Sequence, residues 1–207
     1  MTSWDKYADA ATDWSEAQYA DARAYLARRA ELVRSLGPQL AAGDIVLDLA
    51  CGDGGLGDFL PDQRYLGVDA SEDMVAAGRR RGRELVQADL NDYEPPQPVQ
   101  ATTIFRAIYY ARDRRALFVK IGGYTEAKIV FDLNPRQYAL AALRADLHAA
   151  GFDQLDVRPF FVPQTRNLPL PVALGLRGLE QVRPVAELLL RFRFTLLCAA
   201  SRRAAAS

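Results

Sequence analysis

The length, composition and charge of the chain exclude several classes of protein. Its 207 residues are enough for one domain with a substantial core and somewhat short for two. Half of the residues are hydrophobic and a quarter are charged, as in an ordinary soluble globular protein. The 26 basic residues equal the 26 acidic ones in number, so no global field draws the chain to nucleic acid or to an acidic membrane. We therefore expect neither of these as a partner.

Cysteine usage and the apolar stretches point to a cytoplasmic protein. Cys51 and Cys198 can form at most one bridge, which does not indicate a secreted disulfide scaffold. The first 16 residues are acidic and aromatic and lack the apolar core of a signal peptide. The most apolar stretch, residues 188–200, is 13 residues long and contains two arginines, so it is too short to span a bilayer.

Arginine supplies nearly all of the positive charge. Only Lys6, Lys120 and Lys128 are lysines among the 26 basic residues. Together with the abundant alanine, this imbalance is typical of a GC-rich genome, and we do not interpret it as a device for recognising a ligand.

The predicted elements alternate between helix and strand along the chain. Residues 1–36 are predicted to be helical up to a stop at Gly37-Pro38. The predicted strands are residues 45–50, 65–68, 84–87, 101–108, 128–133, 154–157 and 192–199. The other predicted helices are residues 71–83, with Ser71 as N-cap, 113–120 and 135–150. Strands joined by helical crossovers indicate a mostly parallel sheet covered on both faces.

A glycine-rich turn follows the first strand, at the edge where doubly wound sheets bind ligands. Its glycines allow a ligand to approach the backbone closely, and a helix beginning near Gly55 would supply N–H donors. Gly52, Gly54 and Gly57 also satisfy the dinucleotide pattern G-x-G-x-x-G. However, Asp48 lies inside the strand, and Asp69 follows Gly52 by only 17 residues. Both features argue against a nicotinamide cofactor.

Three segments in succession resemble those of class I S-adenosylmethionine-dependent methyltransferases. VLDLACGDGGL at 46–56 is similar to the first motif of that family, LGVDASEDMV at 66–75 to the second, and QADL at 87–90 to the segment that reads adenine. The resemblance covers residues 40–133 and, more loosely, the ends. It implies a Rossmann-like, doubly wound α/β fold with a seven-stranded sheet, six strands parallel and the last antiparallel, and helices on both faces.

The resemblance also implies one domain over residues 1–207, divided by function. Residues 1–36 would form an N-terminal helical lid, and residues 37–157 would form the cofactor-binding core. Residues 158–190, rich in proline, would form a partial cap over the ligand edge, and residues 191–200 would form the last strand.

The implied cofactor is S-adenosylmethionine, and residues in and after the first two strands would bind its methionine part and its ribose. By resemblance, Asp48 and the backbone at Ala50, Gly52 and Gly54 would hold the methionine part. Asp69 would accept hydrogen bonds from both ribose hydroxyls, two acceptors matching two donors. The alternative for Asp69 is a capping or turn residue.

The adenine contacts are implied for the residues that follow the second and third strands. Ala70 and Met74 would pack on the ring, where a polarizable thioether suits an aromatic face. Asp89 would accept from the adenine amine, and the Leu90 amide would donate to the ring. The alternatives are a solvated turn for Asp89 and plain core packing for Met74.

The candidates around methyl transfer follow the fourth strand. We expect Phe105 and Tyr7 to contact the cofactor, and Arg106, Tyr109 and Tyr110 to serve catalysis by shaping the pocket or binding an anionic group. Related enzymes often carry Asn or Ser near the position of Arg106 and histidines near those of the two tyrosines, and this chain departs from that pattern. A phenol with a pKa of about 10 is a poor base at neutral pH. The alternatives are a structural salt bridge for the arginine and packing for the tyrosines.

These features predict methyl transfer to an oxygen, nitrogen or carbon atom of a small molecule that is partly hydrophobic or anionic. Such a displacement can rely on positioning and desolvation. Methylation of a protein or RNA is the alternative within enzymes, and a non-catalytic cofactor-binding module is the alternative outside them. A homodimer is compatible with the sequence. No Cys/His cluster has the spacing of metal ligands, so no metal ligand is assigned, and a site built from carboxylates is the alternative.

Overall fold

The computed structural model describes residues 19–134, 137–162, 169–179 and 195–202. Seven strands form one sheet, and they are β1 (Ile45–Leu49), β2 (Arg64–Asp69), β3 (Leu85–Gln87), β4 (Val99–Ile104), β5 (Thr125–Leu133), β6 (Gln154–Phe160) and β7 (Thr195–Ser201). The helices are α1 (Ala22–Ser35), α2 (Glu72–Arg80), α3 (Arg114–Tyr124), α4 (Leu140–Ala149) and α5 (Leu170–Leu179). Two short 3-10 helices occupy Gly55–Phe59 and Ile108–Tyr110.

The order of the strands confirms the predicted topology. Across the sheet they run β3-β2-β1-β4-β5-β7-β6. Pairings from β3 to β5 are parallel, and β7 is antiparallel to both of its neighbours, β5 and β6. Because β6 is antiparallel to β7, it points in the same direction as the first five strands. Six strands are therefore parallel and the last is antiparallel.

Alternating side chains of the strands divide the core into two layers, one on each face of the sheet. Leu47 and Leu49 of β1 belong to one buried cluster, whereas Val46 beside them belongs to the other. Side chains of α3 and α4 pack in the first cluster, and those of α1 pack in the second. Strands that are buried on both faces need continuous apolar sequence, which explains why β1 is hydrophobic at successive positions.

Side chains at the starts of the helices form the expected caps. The Ser71 hydroxyl accepts from the Met74 N–H at 3.4 Å, which confirms the predicted N-cap of α2. Asp21 caps α1 and Asp113 caps α3 in the same way, each accepting from the N–H three residues later at 2.9 Å.

Several predicted boundaries are wrong. β4 ends at Ile104, not at residue 108, because the chain turns at Phe105 and Arg106 and enters a 3-10 helix. The glycines after residue 120 do not stop α3, which continues to Tyr124 because Gly122 packs without a side chain against the Ala150 carbonyl.

Other elements also differ from the prediction. α2 ends at Arg80, before the left-handed Gly82, and α4 begins at Leu140 instead of residue 135. The element beginning at Gly55 is a single 3-10 turn, not an α-helix. β6 continues to Phe160, so the first residues of the predicted cap belong to the sheet.

Parts of the predicted lid and cap lie outside the described residues, and so does Tyr7. No helix within the described ranges is long and apolar enough to cross a membrane.

Candidate functional site

Two strained backbone positions mark the carboxyl edge of the sheet. Among the described residues, Ala50 (φ 57°) and Arg106 (φ 55°) are the non-glycine residues in the left-handed region. Such a conformation costs about 1–2 kcal/mol per residue and persists where surrounding structure enforces it. Ala50 directly follows β1, and Arg106 comes two residues after the neighbouring β4. Strand order reverses at this point, which is where ligands bind in open α/β sheets.

The turn after β1 is shaped by glycines. Gly52 and Gly54 have φ values of 62° and 75°. A Cβ on Gly54 would lie 2.8 Å from a methyl carbon of Leu85, so the turn packs tightly against β3. The Cys51 N–H donates to the Val68 carbonyl at 3.0 Å, which ties the turn to β2. The backbone of this turn is therefore held close to the ends of β2 and β3.

Asp69 joins the turn to the start of α2. One carboxylate oxygen accepts from the Gly52 N–H at 2.7 Å, and the other accepts from the Ser71 N–H at 2.9 Å. Burial raises the pKa of Asp69, and the hydrogen bonds from Ser71 and Gly52 oppose that rise. Asp69 therefore stabilises the turn, which is the alternative role given for it in the sequence analysis. Each oxygen keeps a second lone pair, so the same carboxylate can still accept from a diol.

Asp48 is a buried carboxylate inside β1, with 3% of its surface exposed. It accepts from the Thr103 hydroxyl at 2.6 Å and from the Tyr65 hydroxyl at 2.7 Å. Burial raises its pKa to about 6, against the opposing effect of these two hydrogen bonds. Asp48 is therefore ionised at neutral pH and can pair with an ammonium group. The sequence does not indicate either hydroxyl partner, because both lie on other strands.

The segment after β3 places Asp89 and Leu90 beside the end of β2. One oxygen of Asp89 accepts from the N–H and the side-chain amide of Asn91 at 2.8 and 2.7 Å, and the other accepts from Arg112 at 3.1 Å. Burial alone would raise the pKa of Asp89, but the bonds from Asn91 and the charge of Arg112 outweigh it and lower the pKa. Asp89 is thus held as an ionised acceptor.

The apolar candidates for adenine packing are at the start of α2. Met74 is 3% exposed and Ala70 is half-buried. These two residues and Leu90 (4% exposed) follow β2 and β3, on the same side of β1 as Asp69 and Asp89.

The candidates for catalysis follow β4. Phe105 is buried, whereas Arg106 is exposed and its backbone N–H donates to an Asp132 oxygen at 2.6 Å. Tyr109 is 53% exposed, and its ring centroid lies 4.3 Å from that of Tyr110. The structure therefore brings the three catalytic candidates to the edge where the cofactor-binding candidates lie.

A buried ion pair supports this side of the site. The Arg29 guanidinium donates to Asp132 and to the Tyr25 hydroxyl, both at 2.8 Å. Its central carbon lies 4.4 Å from the centroid of the Phe105 ring. Asp132 thus connects α1 to the strained Arg106. The sequence signal for this residue is an acid within the apolar run at the end of β5, a pattern that the sequence-based prediction missed.

No group of three or more His, Cys, Asp or Glu side chains within the described ranges is arranged to hold a metal ion. The one histidine, His148, is on α4 with 78% of its side chain exposed.

Comparison with known proteins agrees with this geometry. Residues 46–128 match a family model described as a methyltransferase domain. A complex between the Haloferax volcanii Trm112 methyltransferase activator and a methyltransferase contains a chain that is 18% identical, with a TM-score of 0.65 and 99% of each chain covered. None of the curated proteins compared with the chain matches it.

Two further solved structures share the fold. A SAM-dependent methyltransferase from Thermotoga maritima is 12% identical, with a TM-score of 0.63 and coverage of 97% of this chain and 99% of that one. The magnesium protoporphyrin IX methyltransferase of Synechocystis PCC 6803, with bound SAM, is 15% identical, with a TM-score of 0.55 and coverage of 96% and 79%.

Proposed function

We propose that this chain is a class I S-adenosylmethionine-dependent methyltransferase that methylates a small molecule, one that is partly apolar and carries an anionic group. The match of residues 46–128 to a methyltransferase-domain model and the shared fold support this proposal. The cofactor supplies an electrophilic methyl group on a sulfonium. The residues of this chain have to bind the cofactor, orient the acceptor and exclude water.

The proposed cofactor site consists of three carboxylates on adjacent strands. Asp48 is in β1, Asp69 ends β2, and Asp89 follows β3. Neighbouring strands are about 4.8 Å apart, so the three carboxylates extend over roughly 10 Å, the scale of a nucleoside with its substituent. The ionised Asp48 would pair with the methionine ammonium, Asp69 would accept from the ribose diol, and Asp89 would accept from the adenine amine. The residues therefore fit the cofactor in both chemistry and order.

The observation that supports a small, anionic acceptor is the charge of the edge beyond β4. Asp132 pairs with Arg29, so the buried cation contributes no net charge there. Arg106, exposed on a strained backbone, and Tyr109, whose side chain is half-exposed, both follow β4 at this edge. A guanidinium binds a carboxylate or phosphate through paired hydrogen bonds, and the aromatic rings offer surface to an apolar part. The equal numbers of acidic and basic residues do not favour a nucleic acid.

We propose that the tyrosines orient the acceptor rather than deprotonate it. The imidazole of His148 is exposed on α4, a helix that packs on a face of the sheet. Among the described residues, the titratable groups at the carboxyl edge include carboxylates, phenols, guanidiniums, the Lys120 ammonium and the Cys51 thiol, and burial raises the pKa of that thiol. An acceptor that loses its proton easily, such as a carboxylic acid or an acidic phenol, suits this site best.

The first experiment is a calorimetric titration with S-adenosylhomocysteine, with NADH as the ligand control. We expect micromolar binding by the wild type and a loss of about 100-fold in Asp69→Ala, because two hydrogen bonds to a charged group disappear. Asp62→Ala, which removes an exposed acid from the loop before β2, at the opposite edge of the sheet, is the control and should bind normally. No binding by the wild type would refute the proposal, and binding of NADH instead would indicate a dinucleotide enzyme.

Acceptor screening then tests the substrate class. Aromatic carboxylates, phenols and phosphates are offered with S-adenosylmethionine, and formation of S-adenosylhomocysteine is measured. We expect Arg106→Met to raise KM for an anionic acceptor more than it lowers kcat. Turnover only on protein or RNA would contradict the small-molecule assignment, and no turnover on any acceptor would favour a non-catalytic module.

A further inference from the structure

Two of the three lysines in this arginine-rich chain bind main-chain carbonyl groups. The Lys120 ammonium donates three hydrogen bonds, to the carbonyls of Leu90 at 3.1 Å, Asn91 at 2.6 Å and Tyr93 at 2.9 Å. The Lys128 ammonium donates to the carbonyls at the end of α1, those of Arg34 at 3.3 Å and Leu36 at 2.7 Å. An ammonium is a point with three donors, so it suits converging carbonyls, whereas a planar guanidinium suits a flat pair of acceptors. The lysines are therefore placed where arginine would fit poorly.

The carbonyls bound by Lys120 belong to the segment that immediately follows Asp89. Lys120 is in α3, 27 to 30 residues further along the chain, and it reaches back to hold this segment from one side. With three of its carbonyls bound to one atom, the backbone from Leu90 to Tyr93 has little freedom to rotate. Lys120 thus holds the peptide group that follows Leu90. The peptide group that carries the Leu90 N–H is held in turn by the Asp92 and Tyr93 N–H groups, which both donate to the Asp89 carbonyl at 3.0 Å, so Lys120 acts on this N–H by fixing the turn around it.

Asn91 holds the same segment from the other side and uses its whole carboxamide to do so. Its NH₂ group donates to Asp89 at 2.7 Å and to the Tyr110 carbonyl at 3.1 Å. Its oxygen accepts from the Arg112 N–H at 2.9 Å. The Arg112 guanidinium in turn bridges Asp89 and Asp92. Asn91 therefore fixes the rotamer of Asp89 and joins it to the 3-10 helix that carries the tyrosines.

We propose that Lys120 and Asn91 are positioning residues that hold the Asp89 carboxylate and the Leu90 N–H at the spacing that selects a 6-aminopurine. This inference rests on the proposed function, in which Asp89 and Leu90 face the adenine edge.

Two rigid groups can select adenine because they form an acceptor–donor pair. Adenine offers a donor at its amino group and an acceptor at N1, and both match. Hypoxanthine offers a carbonyl oxygen and an N1–H, so both contacts become unfavourable. Sites that present fixed polar partners reject such analogues, because an acceptor then faces an acceptor and a donor faces a donor. If the segment is loosened, either group can turn away, and the rejection weakens.

The experiment compares the affinities of S-adenosylhomocysteine and its deaminated analogue S-inosylhomocysteine by calorimetry. For the wild type we expect a preference for the adenine compound of about 100-fold. In Lys120→Met and in Asn91→Ala we expect affinity for the adenine compound to fall about tenfold and the preference to fall to about tenfold or less. Lys120→Arg should restore the preference only in part, because a guanidinium does not match three converging carbonyls.

Arg79→Met is the matched control. Arg79 donates two hydrogen bonds to the Leu85 carbonyl, at 3.0 and 2.8 Å, at the other end of β3. This variant therefore loses a cation bound to a carbonyl of β3, the strand that precedes the segment held by Lys120. We expect its preference to equal that of the wild type.

The outcomes separate this inference from the proposed function. If the wild type binds S-adenosylhomocysteine and both variants keep its preference for adenine, the role of Lys120 and Asn91 is overturned and the proposed function is not. An equal loss of affinity for both compounds would also overturn it, since that is the result of general loosening. No binding by the wild type would overturn both proposals. If Lys120→Met does not fold, Asn91→Ala, at a half-buried position, decides the question.

Discussion

Replacing Asp48 with asparagine should stabilise the ligand-free protein, although the residue belongs to the proposed cofactor site. Asp48 is 3% exposed, and its two hydrogen-bond partners, Thr103 and Tyr65, are neutral hydroxyls. Burial therefore dominates and raises its pKa to about 6 from the usual 3.8. An asparagine has the same shape, can share hydrogen bonds with both hydroxyls, and carries no charge to bury.

The magnitude and sign follow from proton linkage. Because the folded protein binds this proton more tightly than the unfolded chain does, Asp48 destabilises the fold progressively as pH rises from 3.8 to about 6. Each tenfold difference in proton affinity is worth about 1.4 kcal/mol, so the cost above pH 7 is at most about 3 kcal/mol. At pH 5 the same relation gives about half of that cost. Asp48→Asn removes this cost.

Urea unfolding at pH 7.5 and at pH 5 measures the effect. We expect Asp48→Asn to raise the free energy of unfolding by up to about 3 kcal/mol at pH 7.5 and by about half as much at pH 5. Asp53→Asn is the control and should lower the free energy of unfolding. Asp53 is fully buried but is paired with Arg81 and Arg83 at 3.2 and 3.3 Å, so its charge is stabilised in the fold. A loss of stability in Asp48→Asn at pH 7.5, or a gain that does not depend on pH, would refute the reasoning.

Two further predictions concern the strained edge and the ion pair that supports it. Ala50→Gly should raise the free energy of unfolding by about 0.5–1 kcal/mol in the same assay, because glycine adopts the left-handed φ of 57° without steric cost. A lower free energy of unfolding would contradict the strain at this position. Asp132→Asn should lower the free energy of unfolding by about 3 kcal/mol, because it leaves the Arg29 charge buried and unpaired. Adding Arg29→Met should recover much of that loss, whereas losses that simply add would show that the two residues do not form a pair.

The α/β class of the fold and the candidate acids at the carboxyl edge of the sheet could be proposed from local sequence. Parallel strands buried on both faces require apolar runs, so acids such as Asp48 and Asp69 next to a glycine turn stand out in the chain. Ser71 marks the start of α2 because an N-cap acts over three residues. These signals depend on neighbours in sequence, and for that reason the amino-acid order alone is enough to indicate the fold class and the candidate residues.

The tertiary structure alone decided which partners tune and hold those residues. Tyr65 and Thr103 reach Asp48 from adjacent strands, Lys120 reaches the segment after Asp89 from α3, and Arg29 reaches Asp132 across 103 residues. No local pattern encodes such contacts, since they arise only when the sheet sets its register and the helices pack on it. The boundaries of β4 and α3 were mispredicted for the same reason, because the strained turn at Arg106 and the close packing of Gly122 are enforced by residues distant in the chain. The chemical type of each residue is thus known from the sequence, whereas its partners, its position and the pKa of its side chain depend on long-range packing.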